Sequence, residues 1–165
     1  MRVKAGLGYD IHRFSSGRKL YLGGIEISHS QGLLGHSDGD CLLHALIDAL
    51  LGALGEGDIG QLFPDTDPGY KNIRSTELLK RVMARVRARR MEIINVDTVI
   101  IAEEPKLAPY VERMKEVLSS LLGIEKEQLE IKAKTNEGLG PVGRKEAVAC
   151  WAVCLLREKS PGHSG

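Results

Sequence analysis

Asp10 and His12 stand one residue apart in a segment that alternates like a strand, so period-2 geometry turns both side chains to one face. A carboxylate and an imidazole on one face can share a cation, although Asp-x-His is also the pattern of a turn aspartate beside a surface histidine. His44 offers a third ligand. It lies in a leucine-rich helical pattern with Asp40 and Asp48 at i−4 and i+4, and tied to those carboxylates it would be only a hydrogen-bonded helix residue. Joined to Asp10 and His12, it completes three protein ligands for Zn²⁺ and leaves the fourth tetrahedral position open, as catalytic zinc sites do. Asp48 would then orient the imidazole from behind.

Two other segments carry polar groups at useful spacing. Gly35-His36-Ser37-Asp38-Gly39-Asp40 precedes the leucine-rich helix, where free N–H groups and the helix dipole favour a bound phosphate, although Ser37 read plainly is a cap. Lys132-Ala133-Lys134-Thr135-Asn136-Glu137-Gly138 leaves a strand and enters a glycine turn. Its cations, hydroxyl and carboxylate could hold a phosphate with Mg²⁺, which accepts one carboxylate plus phosphate oxygens; the plain alternative is a solvated strand end.

The elements that must position these groups follow from periodicity. Arg2 to Tyr9 reads as a strand, and Leu20 to Ile27 as a hairpin broken at Gly23-Gly24, followed by a loop over Gly32 to Gly35. A helix is predicted from about Asp38, with Ser37 as N-cap and Asp40 closing a capping box, ending at Gly55 and Gly57. Asp58 to Gly69, with two Pro, two Gly and three Asp, is a loop of functional length. A second helix runs from Ser75 or Thr76 to about Arg90. Its Arg81, Arg85 and Arg89 form a solvated face, with Glu77 as i+4 partner of Arg81. Ile93 to Glu103 is a strand, Leu107 to Leu122 a helix, and Leu129 to Thr135 and Ala147 to Leu156 are strands. The expectation is an α+β two-layer sandwich, a mixed β-sheet with three main helices on one face.

At 165 residues one domain is expected over 1–157, with a disordered polar tail over 158–165. The 23 Lys+Arg balance 22 Asp+Glu, so nucleic acid and anionic membrane are not attracted in general and any phosphate site is local. No apolar run approaches the roughly 20 residues of a membrane span, and the N-terminus lacks an apolar signal core, which points to the cytoplasm. Cys41, Cys150 and Cys154 have no metal or disulfide spacing and read as reduced and buried.

Taken in order, Gly8-Tyr9-Asp10-Ile11-His12, His36-Ser37-Asp38-Gly39-Asp40, Asp58-Ile59-Gly60, Phe63-Pro64-Asp65-Thr66-Asp67, Pro105-Lys106 and Lys134-Thr135-Asn136-Glu137 resemble the 2-C-methyl-D-erythritol 2,4-cyclodiphosphate synthase family. The resemblance implies a ferredoxin-like fold, a homotrimer with active sites between subunits, and a cytidine diphosphate substrate that is cyclised with release of CMP. It implies Asp10, His12 and His44 as zinc ligands, and Glu137 as the contact to Mg²⁺ or Mn²⁺ bridging the substrate phosphates. His36 and Thr135 would position the phosphates, with Ser37 beside them. Asp58, Ile59 and Gly60 would touch the erythritol, next to the loop of Phe63, Pro64, Asp65, Thr66 and Asp67. Ala102, Glu103, Glu104, Pro105, Lys106, Leu107 and Ala108 would receive the cytidine from the adjacent subunit. Pro141 and Arg144 match a cavity on the trimer axis for an isoprenoid diphosphate. The family carries phenylalanine where Pro141 stands and a threonine run where Lys134 and Asn136 stand; Lys134 adds a cation beside the phosphates.

Two rival functions share these ligands. In a zinc phosphohydrolase the open position holds a water nucleophile. In a non-catalytic nucleotide-binding module zinc is structural and needs a fourth ligand, for which His29 and Cys41 are the candidates.

Overall fold

A computed structural model describes residues 2–160. In chain order the strands are β1 (Val3–Ser16), β2 (Leu20–Leu22), β3 (Ile25–Ile27), β4 (Gln31–Leu33), β5 (Met91–Ile101), β6 (Leu129–Lys134) and β7 (Ala147–Glu158). The helices are α1 (Cys41–Leu54), α2 (Ile59–Leu62), α3 (Ser75–Ala88), α4 (Val111–Leu122) and α5 (Gly140–Gly143). Five strands form a mixed sheet in the order β4-β1-β7-β5-β6, where β5 and β6 are parallel and the other neighbours antiparallel; β2 and β3 form a separate hairpin.

Alternation in β1 decides the two sides of the sheet. Gly6 and Gly8 are buried beneath α1, whereas Leu7, Tyr9 and Ile11 face outward. A methyl group at Gly6 would overlap the Ala49 carbonyl oxygen, and one at Gly8 the Ala45 carbonyl oxygen, so strand and helix meet backbone to backbone. Such contact requires glycine. The helix, with Leu42, Leu43, Leu46, Ile47, Leu50 and Leu51 fully buried, packs against β1, β7 and α3 and leaves only Gly52 exposed and Asp48 partly so. α3 and α4 complete the helical layer, packing against β5 and β6.

The Gly23-Gly24 turn has φ of 62° and 80°, which a two-residue hairpin of this hand requires. The buried Asp40 carboxylate receives the Gly23 N–H (3.0 Å), the Gly24 N–H (2.7 Å) and the Leu43 N–H (3.1 Å), joining the hairpin to the start of α1.

Several expectations change. Asp40, not Ser37, is the N-cap of α1, which begins at Cys41, and its carboxylate takes the Leu43 N–H. β1 continues to Ser16, leaving Asp10 and His12 in mid-strand, and Gly32 lies in β4 instead of a loop. Glu77 pairs with Lys80, while Arg85 and Arg89 both pair with Glu56 beyond the end of α1. Glu158 is paired with Met91 in β7 and does not belong to a tail; 161–165 lie outside the described residues. The ferredoxin-like expectation fails on topology: the long strands run β-α-β-α-β-β, and α4 joins adjacent parallel strands β5 and β6 instead of skipping one. The three cysteines are buried and unpaired with one another by disulfide.

If backbone contact sets the position of α1, Gly8→Ala should push the helix off β1. Overpacking of about 1–3 kcal/mol corresponds to a fall in Tm of roughly 3–10 °C. The check is a thermal melt of the variant; an unchanged Tm would show that the contact can relax.

Candidate metal centre and adjoining cleft

β1 presents Asp10 and His12 on the face covered by α1, and α1 presents His44 one residue before the Ala45 that touches Gly8. The result is a triangle of ligand atoms. His12 Nε2 lies 2.7 Å from Asp10 Oδ2, His44 Nδ1 lies 3.1 Å from the same oxygen, and the two nitrogens are 3.0 Å apart. Ligands about 2.0–2.2 Å from a tetrahedral ion sit about 3.3–3.6 Å from one another, so the donor set fits Zn²⁺ once the triangle widens by about half an ångström. Among the described residues these three form the one cluster of this kind.

Each imidazole is held from behind. His12 Nδ1–H donates to the Leu34 carbonyl, which turns Nε2 toward the triangle as the ligand atom. His44 Nε2 lies 3.0 Å from both Ser37 Oγ and Ser75 Oγ. Asp48 does not perform that role: its Oδ1 accepts the Ile59 N–H at 2.7 Å and anchors α2 instead. His29 stacks on Phe14, and the Cys41 thiol donates to the Asp10 and Val148 carbonyls, so neither completes a four-ligand structural site.

Burial pushes the Asp10 carboxyl up, but the hydrogen bonds and charge of His12 and His44 outweigh it and hold it at about 2. For His12, burial pulls the imidazole down, while the hydrogen bond and charge of Asp10 and the Leu34 carbonyl raise it above 6.5.

A cleft of about 220 Å³ opens beside the triangle, lined by Asp10, His12, His36, Ser37, His44, Ile59, Gly60, Phe63 and Asp65. His36 Nε2 donates to the Asp67 carbonyl at 3.3 Å, fastening the loop after α2 over the cleft. Asp58 caps α2 and Asp67 caps the turn at Pro68–Tyr70, so both carboxylates act locally on their own loop; Pro64 and Thr66 are exposed on the same loop. Tyr70, Ile73 and Leu78 also line the cleft, and nothing in their local sequence marks them.

The remaining predicted residues lie outside this cleft but at the same end of the sheet. Asp10 is opposite Cys150, which is opposite Ile100, so Ala102 to Ala108 and Lys134 to Glu137 leave β5 and β6 level with the metal ligands, two and three strands away. Ala102 N–H donates to the Lys134 carbonyl, joining the two segments. The Glu103 carboxylate accepts the N–H of Asn136 (2.8 Å) and of Gly138 (3.4 Å), so it shapes the turn that carries Thr135 and Glu137. Glu104 pairs with Lys145; Lys106 and Ala108 are exposed and Leu107 is buried. Glu137, at φ 52°, is exposed with an oxygen 3.4 Å from Thr135 Oγ1, and a single carboxylate of this kind suits a Mg²⁺ that draws its other ligands from phosphate and water. Pro141 and Arg144 are exposed at α5, where Arg144 pairs with Glu146.

Fold and centre together define an α+β protein with a three-ligand metal site at the edge of a mainly apolar cleft. The chain belongs to the YgbB family, whose model matches residues 3–157. It is 52% identical to the 2-C-methyl-D-erythritol 2,4-cyclodiphosphate synthase of Caldicellulosiruptor bescii, over 94% of this chain and 99% of that one. It is 51% identical to the synthase of the same name from Syntrophomonas wolfei, over 94% and 99%. Among solved structures, the IspF of Plasmodium falciparum in complex with CDP superposes with a TM-score of 0.85 at 36% identity, covering 96% of this chain and 97% of that chain. The bifunctional IspDF of Campylobacter jejuni gives 0.92 at 42% identity, and there the chain spans 43% of the longer protein.

Because His12 has a raised value, its contact with Asp10 stabilises fully below about 6.5 and is lost as pH rises through that raised value; the Asp10 contribution is present above about 4 and is lost as pH falls toward about 2. Metal-free protein should therefore draw most from this pair between about pH 4 and 6.5. A metal ion must displace the His12 proton, so affinity for a divalent metal should climb with pH while the metal-free contribution declines. Melts of wild type against His12→Asn, with chelator competition across pH 5–8, test both slopes; parallel slopes would show that His12 does not titrate in the site.

Proposed function

We propose that the chain converts 4-diphosphocytidyl-2-C-methyl-D-erythritol 2-phosphate into 2-C-methyl-D-erythritol 2,4-cyclodiphosphate, with release of CMP, in the non-mevalonate route to isoprenoids. The observation that carries this reading is the three-ligand triangle opening into a cleft in a chain 52% identical to a synthase of that name. An oxygen of the 2-phosphate attacks the β-phosphorus, and the bond from that phosphorus to the bridging oxygen of CMP breaks. Nucleophile and electrophile belong to one molecule, so no serine or cysteine nucleophile is needed and the work is positioning. A phosphate monoester has a second pKa of about 6, so the attacking oxygen carries its charge near neutral pH without a general base.

Asp10, His12 and His44 would hold Zn²⁺, which when bound supplies charge neutralisation at the β-phosphate. Glu137 would hold Mg²⁺ or Mn²⁺ against the phosphates. His36 and Thr135 align the phosphates, Ser37 borders them, and Ile59, Gly60, Phe63 and Asp65 wall the erythritol portion, with Lys134 adding charge. The open ligand position and the absence of a fourth protein ligand among the described residues favour catalysis over a structural zinc module.

A homotrimer supplies the rest of the site. Leu7 (62% exposed), Tyr9, Ile11, Trp151 and Val153 form an apolar patch on the sheet face opposite the helices, the kind of surface that soluble chains bury against partners. Ala102 to Ala108, with Lys106, would then meet the neighbouring subunit's cleft and receive cytidine. No helix among the described residues is long and apolar enough to cross a membrane. The assembly works in the cytoplasm in this reading.

Incubation with the substrate should yield CMP and the cyclic diphosphate in equal amounts, with chelation abolishing turnover and added zinc restoring it. A ring-opened product with one added water would instead identify a phosphohydrolase. For the shared site, inactive His44→Ala and inactive Lys106→Ala chains mixed under conditions of proven subunit exchange should regain part of the wild-type rate. No regain would place each complete site within one chain.

A further inference from the structure

The geometry points to Ser75 and Asp38 as positioning residues that set the tautomer of His44 and so the metal affinity of the centre, an inference that rests on the reading of Asp10, His12 and His44 as metal ligands. Neither residue is a ligand. The four groups of the relay come from three places: His44 from α1, Ser75 from the first turn of α3, and Ser37 and Asp38 from the segment before α1. All are buried, and Ser75 has no exposed surface.

The protons can be counted. The Asp38 carboxylate accepts from four donors: Ser75 Oγ–H at 2.6 Å, Ser75 N–H at 3.0 Å, Arg74 Nε–H at 3.0 Å and Asp40 N–H at 3.1 Å. A serine hydroxyl has one proton. Since that of Ser75 goes to Asp38, the oxygen has only a lone pair to offer His44 Nε2 at 3.0 Å, and Nε2 must carry the hydrogen. With the hydrogen held on Nε2, the Nδ1 lone pair is available to a metal ion, as a ligand requires; in the metal-free chain the Asp10 carboxylate, 3.1 Å from Nδ1, competes with Ser75 for the ring proton.

Ser37 cannot give this assurance. Its Oγ also lies 3.0 Å from His44 Nε2, but it has no carboxylate to take its proton; it accepts from the Gly39 N–H and lies 3.4 Å from Ser75 Oγ. Free to rotate, it can donate to Nε2 and select the wrong tautomer. Asp38 therefore acts on the metal through one hydroxyl, in the way carboxylates act directly on zinc-bound histidines. Arg74, which also donates to the Gly24 carbonyl, pairs with Asp38 and orients it from the far side.

The test uses full-length metal-free protein. Nitrogen-15 NMR of the His44 ring should show the Nε2–H tautomer in the wild type and a mixture in Ser75→Ala. Chelator competition should show zinc bound about 10–100-fold more weakly by Ser75→Ala, while Ser75→Thr, which keeps the hydroxyl, stays much closer to wild type. Asp38→Asn is the second variant, because its amide can donate to Ser75 and turn that hydroxyl toward His44; it should shift the ring to Nδ1–H and weaken zinc similarly. Circular dichroism melts of the metal-free variants separate these effects from loss of fold. Zinc affinity in Ser75→Ala within about twofold of wild type, or Nδ1–H in the wild type, overturns the inference. A wild-type chain that binds no zinc defeats the metal reading, and the ring tautomer still decides the relay by itself.

Discussion

The contact between the backbone of β1 and the backbone of α1 governs the rest of the molecule. Gly6 and Gly8 leave no side chain between strand and helix, so the carbonyls of Ala45 and Ala49 rest on the strand itself. With the helix at that distance, His44 reaches the two ligands on β1 and all three atoms fall within hydrogen-bonding range of one another. A larger residue at either glycine would move a whole helix, and a leucine-rich helix buried over most of its surface cannot shift without opening the core.

β1 serves both faces of the sheet. Asp10 and His12 alternate with Tyr9 and Ile11, so one strand carries the metal ligands inward and an apolar surface outward. A slip of one residue would exchange the two sets completely. Eleven paired positions with β7, from Val3 opposite Arg157 to Arg13 opposite Ala147, hold the register against that slip. The buried carboxylates beneath the centre are tolerated for a related reason: Asp38 and Asp40 each take several N–H or O–H donors from neighbouring turns, which offset part of the cost of burial and also fix the loops, although burial and the charge of Asp38 still push the Asp40 carboxyl up to about 6.

The metal ligands were legible in the sequence because their geometry is local, two residues on one strand face and one on a helix with strong leucine periodicity. The hairpin at Gly23-Gly24 and the three long helices are legible for the same reason. Ser37 misleads because Ser-x-x-Asp imitates a capping box, whereas the operative cap is Asp40, the last residue of that pattern, whose carboxylate is drawn to the hairpin N–H groups sixteen and seventeen positions earlier. Asp48 misleads because helical spacing brings it near His44 on paper, while the start of α2 offers it a backbone donor. Strand order, the Leu34 carbonyl behind His12 and the Ser75 hydroxyl behind His44 come from chain separations of 22 and 31 residues or more, which no local pattern encodes.

Trp151 is the single tryptophan of the chain, and its place in β7 has a practical consequence. It stacks on Tyr9 across the strand pair, with ring centroids 4.5 Å apart, and 40% of it is open on the face away from the helices. Its emission therefore samples the outer surface of the sheet and is screened from the cleft by the sheet itself. The protein carries its own optical probe, one that dims or shifts when that surface is covered and stays silent while the metal centre fills and empties.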